Sequence, residues 1–264
     1  MGKLGKIITI ISGKGGVGKT TIAANLGAVF ADKGKRVVLM DIDIGLRNLD
    51  MLLGMESKVS YTLLDVLEGN VTLEQALIQD SRFDFLYLLP AGQVYDNPDI
   101  SMDDIAGLTA ELCRNFDYVI IDCPAGVERC FRNAAICADK VVAVTLPELT
   151  ALRDADRVVK LLRSYKVEDI AVIINRVNVK LLRKGVILSP DTIQETLATK
   201  LLGVIPEDAS VVVATNSGSL VTGKVHTALE NVAERIEGKE IQISGFKRTT
   251  VWRKIYNFIH KFRR

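Results

Sequence analysis

Nine consecutive residues, Gly13-Lys14-Gly15-Gly16-Val17-Gly18-Lys19-Thr20-Thr21, have the types and spacing to hold a polyphosphate. They fit G-x-x-x-x-G-K-[ST], in which glycines let backbone N–H groups crowd phosphate oxygens because no Cβ intervenes. Lys19 supplies a point charge for the β- and γ-phosphates, and Thr20 offers a hydroxyl to Mg²⁺. The helix that follows turns the positive end of its dipole toward the anion. A further lysine, Lys14, stands five residues earlier. Because Lys19 already serves the phosphates of its own subunit, Lys14 is free to reach a phosphate across a subunit interface. There it adds transition-state charge only when two subunits meet.

Carboxylates recur at the ends of apolar runs. Ile120-Ile121-Asp122 has the form of a strand whose terminal Asp holds Mg²⁺ directly or through water, and Gly126 offers an N–H to a γ-phosphate. Asp41 and Asp43 close an earlier run; one suits the metal's water shell, the other the γ-phosphate and the attacking water. The amide of Asn175, beside Arg176, can read a purine's donors and acceptors, and Pro206-Glu207-Asp208 can wall the base. Taken singly, each also reads as a turn former, a cap or a solvated loop residue. Their placement behind a phosphate loop favours nucleotide chemistry.

These residues need strands to carry them. Short β-branched runs predict strands over 7–11, 36–40, 85–89, 118–121, 141–145, 170–174 and 202–205. Helical patterns fall near 19–32, 60–68, 103–115, 127–137, 150–164, 190–199 and 224–236. The alternation predicts an α/β layered fold with a mostly parallel sheet, which binds ligands at the carboxyl ends of its strands. The phosphate loop, Asp41, Asp43, Asp122 and Asn175 all emerge at that edge.

With 264 residues, 48% of them apolar, the chain suits one large domain over 1–236, a polar connector over 237–248 and a terminal segment over 249–264. No signal peptide and no spanning apolar run is evident, so a cytosolic protein is expected. Four cysteines without C-x-x-C spacing argue for reduced thiols rather than zinc. Gly2 lacks the Ser or Thr of a myristoylation signal, Lys6 standing in its place.

Charge is uneven. Of 34 Lys and Arg, seven lie in 247–264 with no acid, leaving 27 against 32 Asp and Glu elsewhere. On a helix, Val251, Trp252, Ile255, Tyr256, Phe258, Ile259 and Phe262 share one arc of about 160°. Arg253, Lys254, Asn257, His260, Lys261 and Arg264 lie opposite. An apolar face with aromatics backed by basic charge is the pattern of an interfacial membrane anchor. A helix docked on the body is the plainer reading, and nucleic-acid binding leaves the apolar face unexplained.

With its early lysine, Lys14-Gly15-Gly16-Val17-Gly18-Lys19-Thr20 resembles the deviant Walker A (ParA/MinD) P-loop ATPase family. The likeness is greatest to the branch that sets the division site in bacteria and plastids. It rests on Asp41-Ile42-Asp43-Ile44-Gly45-Leu46-Arg47-Asn48-Leu49-Asp50, Asp122-Cys123-Pro124-Ala125-Gly126, Pro147-Glu148, Arg153-Asp154-Ala155-Asp156-Arg157 and Val204-Ile205-Pro206-Glu207-Asp208. The resemblance implies a three-layer P-loop fold and a Mg²⁺-dependent ATP hydrolase that forms a homodimer with ATP. It puts Lys14 on the partner's ATP, Thr20 on Mg²⁺, Asp43 at the attacking water and Asp41 and Asp122 in support of the metal. Asn175 and Pro206, Glu207 and Asp208 would line the adenine pocket, and Glu148, Asp154 and Asp156 would lie on the dimer or partner surface.

The partners implied are a division inhibitor, an ATPase activator and anionic lipids on the inner face of the cell membrane or in the plastid stroma, with no nucleic acid. Trp252, Tyr256 and His260 depart from the family's usual Phe-, Leu- and Lys-rich ending. The alternative is a ParA-like ATPase that partitions DNA or cargo. A metal-cluster carrier is the third reading, weakened by the lack of C-x-x-C.

Overall fold

The computed structural model describes residues 4–45, 47–92, 100–126, 129–243 and 246. The expected amphipathic segment, with every membrane residue assigned to it, lies outside the described residues. So do Leu46 and part of the connector.

Eight strands form one sheet: β1 (Lys6–Ile11), β2 (Val37–Asp41), β3 (Ile78–Gln79), β4 (Leu86–Leu89), β5 (Tyr118–Asp122), β6 (Lys140–Thr145), β7 (Ile170–Val177) and β8 (Lys200–Pro206). Their order across the sheet is β3-β4-β2-β5-β1-β6-β7-β8. Every described pairing is parallel except β3 with β4, whose chain reverses through a short turn. The apolar runs are continuous because both faces are covered. On β2, Val38 and Met40 enter one core while Val37 and Leu39 enter the other; on β5, Val119 and Ile121 oppose Tyr118 and Ile120 in the same way.

The helices are α1 (Lys19–Asp32), α2 (Asn48–Leu53), α3 (Leu63–Leu67), α4 (Leu73–Ala76), α5 (Met102–Asn115), α6 (Arg129–Ile136), α7 (Leu149–Ser164), α8 (Val179–Arg183), α9 (Pro190–Leu197), α10 (Ser210–Asn216) and α11 (Gly223–Ile236). Residues 22–31 of α1 are buried without a break, since the sheet lies beneath that helix and α2 and α11 lie beside it. Four helices and β3 have no counterpart in the periodicity, being too short to complete a pattern. α10 begins Ser210-Val211-Val212-Val213, a β-branched run that by composition suits a strand.

Two strand ends differ from expectation in ways that matter for the site. β2 runs one residue further, so Asp41 belongs to the sheet and pairs in register with Asp122. β7 extends to Val177 through a register shift against β8 between Ile174 and Val177. Beyond α11, residues of the expected connector lie against the body. The Arg235 side chain donates to the Ile241 carbonyl at 2.8 Å, and Ile243 and Phe246 pack on the core.

The stacked pair Phe30 and Tyr118, with ring centroids 4.1 Å apart, joins α1 to β5 in the second core. Phe30→Ala is expected to lower unfolding free energy by about 3–5 kcal/mol, the cost of emptying a fully buried aromatic site. Urea titration followed by far-UV circular dichroism measures it; a loss under about 1 kcal/mol contradicts this account of the core.

Candidate functional site

The phosphate loop joins β1 to α1. Gly16 and Gly18 adopt φ of 75° and 92°, the left-handed region that disfavours a Cβ. Gly18 is the N-cap of α1 and contributes no side chain, so the helix's first N–H groups have no side-chain cap and are available to an anion. A Cβ on Gly18 would meet Asn175 Nδ2 at 2.4 Å, which adds a steric demand to the conformational one. Val17 is buried, and its carbonyl accepts from Asn175 Nδ2 at 2.8 Å, tying the loop to β7. Gly15 and Lys14 are exposed; the Ser12 hydroxyl donates to the Lys14 carbonyl at 3.0 Å, leaving the lysine side chain on the surface.

Lys19 is buried, and its Nζ lies 2.6 Å from Asp122 Oδ1 at the end of β5. Burial alone lowers the affinity of this ammonium for its proton, but the charge and hydrogen bond of Asp122 more than offset that and hold Lys19 above its ordinary value. Thr20 is half-buried, its Oγ1 3.5 Å from Lys19 Nζ. Asp122 is pushed up by burial and pulled back, incompletely, by Lys19. Asp41 is raised well above its usual range, by burial first and the charge of Asp122 second. The Asp41 carboxylate accepts the N–H of Asp43 at 2.9 Å and that of Leu49, in α2, at 3.4 Å. Asp43 is half-buried, and its charge helps hold Lys19 protonated.

This donor set fits Mg²⁺. Asp122 Oδ2 is buried with no hydrogen-bond partner among the described residues, so an acceptor oxygen remains for a ligand. Two buried carboxylates share one buried lysine, and all the candidate donors are hard oxygens. No group of three or more His, Cys, Asp or Glu among the described residues has the arrangement to hold a metal.

The Gly126 N–H, expected at a γ-phosphate, instead donates to the Ser12 carbonyl at 3.1 Å. Gly126 has φ of 108°, and this bond links the segment after β5 to the strand that feeds the phosphate loop. Contact with a phosphate therefore requires the bond to be exchanged.

Asn175, Arg176, Pro206, Glu207 and Asp208, expected at the base, line one cleft of about 280 Å³ together with Gly18 and Thr21. The register shift in β7 explains the arrangement. Arg176 takes φ of 53°, an unusual value for a non-glycine residue, and the bulge lets Asn175 Oδ1 accept the Arg176 N–H while Nδ2 turns to the loop. Because Nδ2 is engaged with Val17, less of the Asn175 amide is left for a purine than the sequence suggests. Glu207 accepts from Asn178 Nδ2 at 2.8 Å, and Asp208 accepts the Ser210 N–H, which lowers its carboxyl below the usual range and starts α10.

Sequence reasoning missed Val211 and Val212 of α10 and Val225 and Leu229 of α11, which supply the cleft's apolar surface. Val212 on this wall is 62% exposed, an unusual state for valine and a signal that marks the wall.

The residues expected at a partner surface cluster on α7. Glu148 is exposed, Asp154 is half-buried, and Asp156 is half-buried and pairs with Lys160 at 2.5 Å. A Cβ on Gly13 would meet the Asp154 carbonyl at 2.6 Å, so the start of the phosphate loop rests directly on this helix.

A profile described as an AAA domain matches residues 5–171. The septum site-determining protein MinD of Thermotoga maritima is 45% identical over 246 residues, covering 91% of each chain. Among solved structures, a chain of the MinC:MinD cell division protein complex of Aquifex aeolicus superposes with a TM-score of 0.84 at 39% identity, covering 92% of this chain and 100% of that one. MinD of Pyrococcus horikoshii, solved with Mg-ADP, gives 0.78 at 31%, covering 89% and 96%. Similarity of this degree, over nearly the whole length of chains of the same fold, shows that the chain belongs to the MinD septum-site-determining ATPases of the ParA/MinD P-loop family.

Proposed function

We propose that this protein is an ATP-driven membrane switch for division-site placement: two subunits close on ATP, bind an anionic membrane through paired C-terminal segments, recruit a MinC-like inhibitor and are released when a MinE-like activator stimulates hydrolysis. The observation that carries the chemistry is the buried Lys19–Asp122 pair at the mouth of the phosphate loop. It stations the lysine where phosphate oxygens would arrive and leaves Asp122 Oδ2 for Mg²⁺. Thr20, Asp122 and, through water, Asp41 would hold the cation. The chemistry supplied by a bound Mg²⁺ would be neutralisation of phosphate charge.

The chain's own residues do the rest. Asp43, at the end of the loop that Asp41 fixes, orients the attacking water. The Gly126 N–H exchanges the Ser12 carbonyl for the γ-phosphate, linking the β5 loop to the presence of that group. The exposure of Lys14 supports its reaching the partner's ATP, and the contact of Gly13 with α7 supports a dimer surface that includes Glu148, Asp154 and Asp156. The name of the Aquifex aeolicus complex supports an inhibitor as partner. No described helix is long and apolar enough to cross a membrane. The apolar face and basic charge of the terminal segment's sequence support peripheral attachment. The seven basic residues of 247–264 each contribute up to about 1 kcal/mol near an anionic leaflet, and dimerisation doubles the number of segments without new contacts.

Co-sedimentation with anionic vesicles is expected to require both ATP and residues 249–264. Binding indifferent to nucleotide removes the switch, and binding that survives the deletion removes the anchor. ATP-dependent binding to duplex DNA that survives the same deletion would favour the partitioning alternative. Lys14→Ala is expected to retain ATP binding but to lose stimulated turnover by about 10³-fold; a phosphate-release assay with full turnover would refute the intersubunit role. In Asp122→Asn, Mg²⁺ affinity in the presence of ADP is expected to fall about 10–100-fold. Isothermal titration measures it, and an unchanged affinity would take Asp122 out of the metal site.

A further inference from the structure

We propose that Arg82 is a positioning residue that couples the base cleft to the Asp41 loop by fastening together the far ends of α2 and α10. The inference rests on the reading of the 280 Å³ cleft as the base site.

Each of these short helices has one end at the nucleotide site. α2 begins beside Asp41, whose carboxylate accepts the Leu49 N–H. α10 begins at Asp208 and sends Val211 and Val212 into the cleft wall. Their other ends meet away from the site. Gly54, the C-cap of α2, and Gly218, just past α10, have φ of 65° and 59°. Their backbones approach so closely that a Cβ on Gly218 would lie 2.7 Å from Gly54 Cα, and one on Gly54 would lie 3.1 Å from the Gly218 carbonyl oxygen.

Helix ends expose carbonyls with no intrahelical partner, and here one guanidinium serves both. Arg82 Nη2 donates to the Leu53 carbonyl at 2.9 Å and Nη1 to the Gly218 carbonyl at 2.9 Å. The same group forks onto the buried Asp80, with Nε to Oδ1 at 2.9 Å and Nη2 to Oδ2 at 2.5 Å, while the Arg82 N–H also donates to Oδ1. Four hydrogen bonds from one rigid plane reach three acceptor groups, a geometry that lysine cannot reproduce. Asp80 and Arg82 stand in the turn between β3 and β4, the one antiparallel pairing among the described strands. That pairing gives Arg82 a fixed base in the sheet, so the cleft wall and the Asp41 loop are tied to one point.

Two helices fastened at one end do not move independently at the other. A base that shifts α10 therefore shifts α2 and with it the Leu49–Asp41 bond, so that base occupancy strengthens cation affinity, and by reciprocity the cation strengthens base affinity.

The test is calorimetric titration of Mg²⁺ into protein saturated with ADP or with inorganic pyrophosphate, which has no base. The readout is the ratio of the two Mg²⁺ affinities in a variant relative to the wild type, so intrinsic differences between the two phosphates cancel. In Arg82→Gln this ratio is expected to fall about 5-fold or more, the low end of typical coupling, with pyrophosphate binding retained. Arg82→Lys keeps the positive charge beside the two carbonyls, and hence a folded protein, but is expected to lose the ratio as well because one ammonium cannot bridge both carbonyls and Asp80. A wild-type ratio in folded Arg82→Lys overturns the proposal. Val212→Asp, in the cleft wall, separates this from the underlying reading: it is expected to weaken ADP and spare pyrophosphate. If ADP affinity is untouched, the base-cleft reading fails and takes the coupling with it.

Discussion

The site depends on an ion pair taken out of water. Lys19 opens α1, Asp122 closes β5, and 103 residues separate them in sequence, yet their charged atoms lie 2.6 Å apart in the interior. Burying either charge alone costs several kcal/mol, so each makes the other's position tolerable. The constraint reaches into the sheet. β5 must lie beside β1, in the parallel register that brings Ile10 opposite Asp122, for a lysine just past the phosphate loop to meet that carboxylate. β2 on the other side of β5 then brings Asp41 level with Asp122. The sheet order thus delivers three ionisable groups to one point, with fewer positive than negative charges. Asp41 is raised by its burial first and by the charge of Asp122 second, and Asp122 Oδ2 is left without a hydrogen-bond partner among the described residues.

Around this point the backbone adopts conformations seldom found in regular elements. Gly16, Gly18 and Gly126 carry positive φ, as do the non-glycine residues Arg47 and Arg176. Three of them have a visible local setting. Gly18 leaves the helix terminus open while avoiding Asn175, Arg47 makes the N-cap of α2 directly after the Asp41 loop, and Arg176 belongs to the bulge that turns Asn175 toward Val17. Residues held in such regions persist when their surroundings over-determine them. Here the surroundings are two cores, one on each face of the sheet, whose packing fixes every strand end at the site.

That division explains what could be read without coordinates. Strands buried on both faces leave an unbroken β-branched run, and a loop that must hold phosphate leaves its glycines and lysine, so the sheet and the phosphate loop were legible. Asp122 was legible because it ends such a run. The cleft wall was not: Val211 and Val212 look like strand residues, and only their place on a helix beside the cleft reveals a surface there. Arg82 gave no signal either, since its partners are two carbonyls, at Leu53 and Gly218, and an acidic residue two positions away. Backbone acceptors have no residue type, so contacts to them leave no trace in composition or spacing. The bond from the Gly126 N–H to the Ser12 carbonyl was hidden for the same reason.

One helix joins the cleft to the segment beyond the body. Val225 and Leu229 in the first half of α11 line the cleft, and Arg235 near its end holds the Leu202 carbonyl of β8 and the Ile241 carbonyl of the segment that follows. At 1.5 Å per residue, Val225 and Arg235 are about 15 Å apart on a single rigid element. Arg235 is buried, and its guanidinium is lowered by desolvation, so the cost of burying it must be balanced by these carbonyls and by the packing they permit. Ile241 is therefore held at a fixed place beside the edge strand. For the proposed pairing of terminal segments, such a fixed point of departure would raise the effective concentration of one segment beside the other.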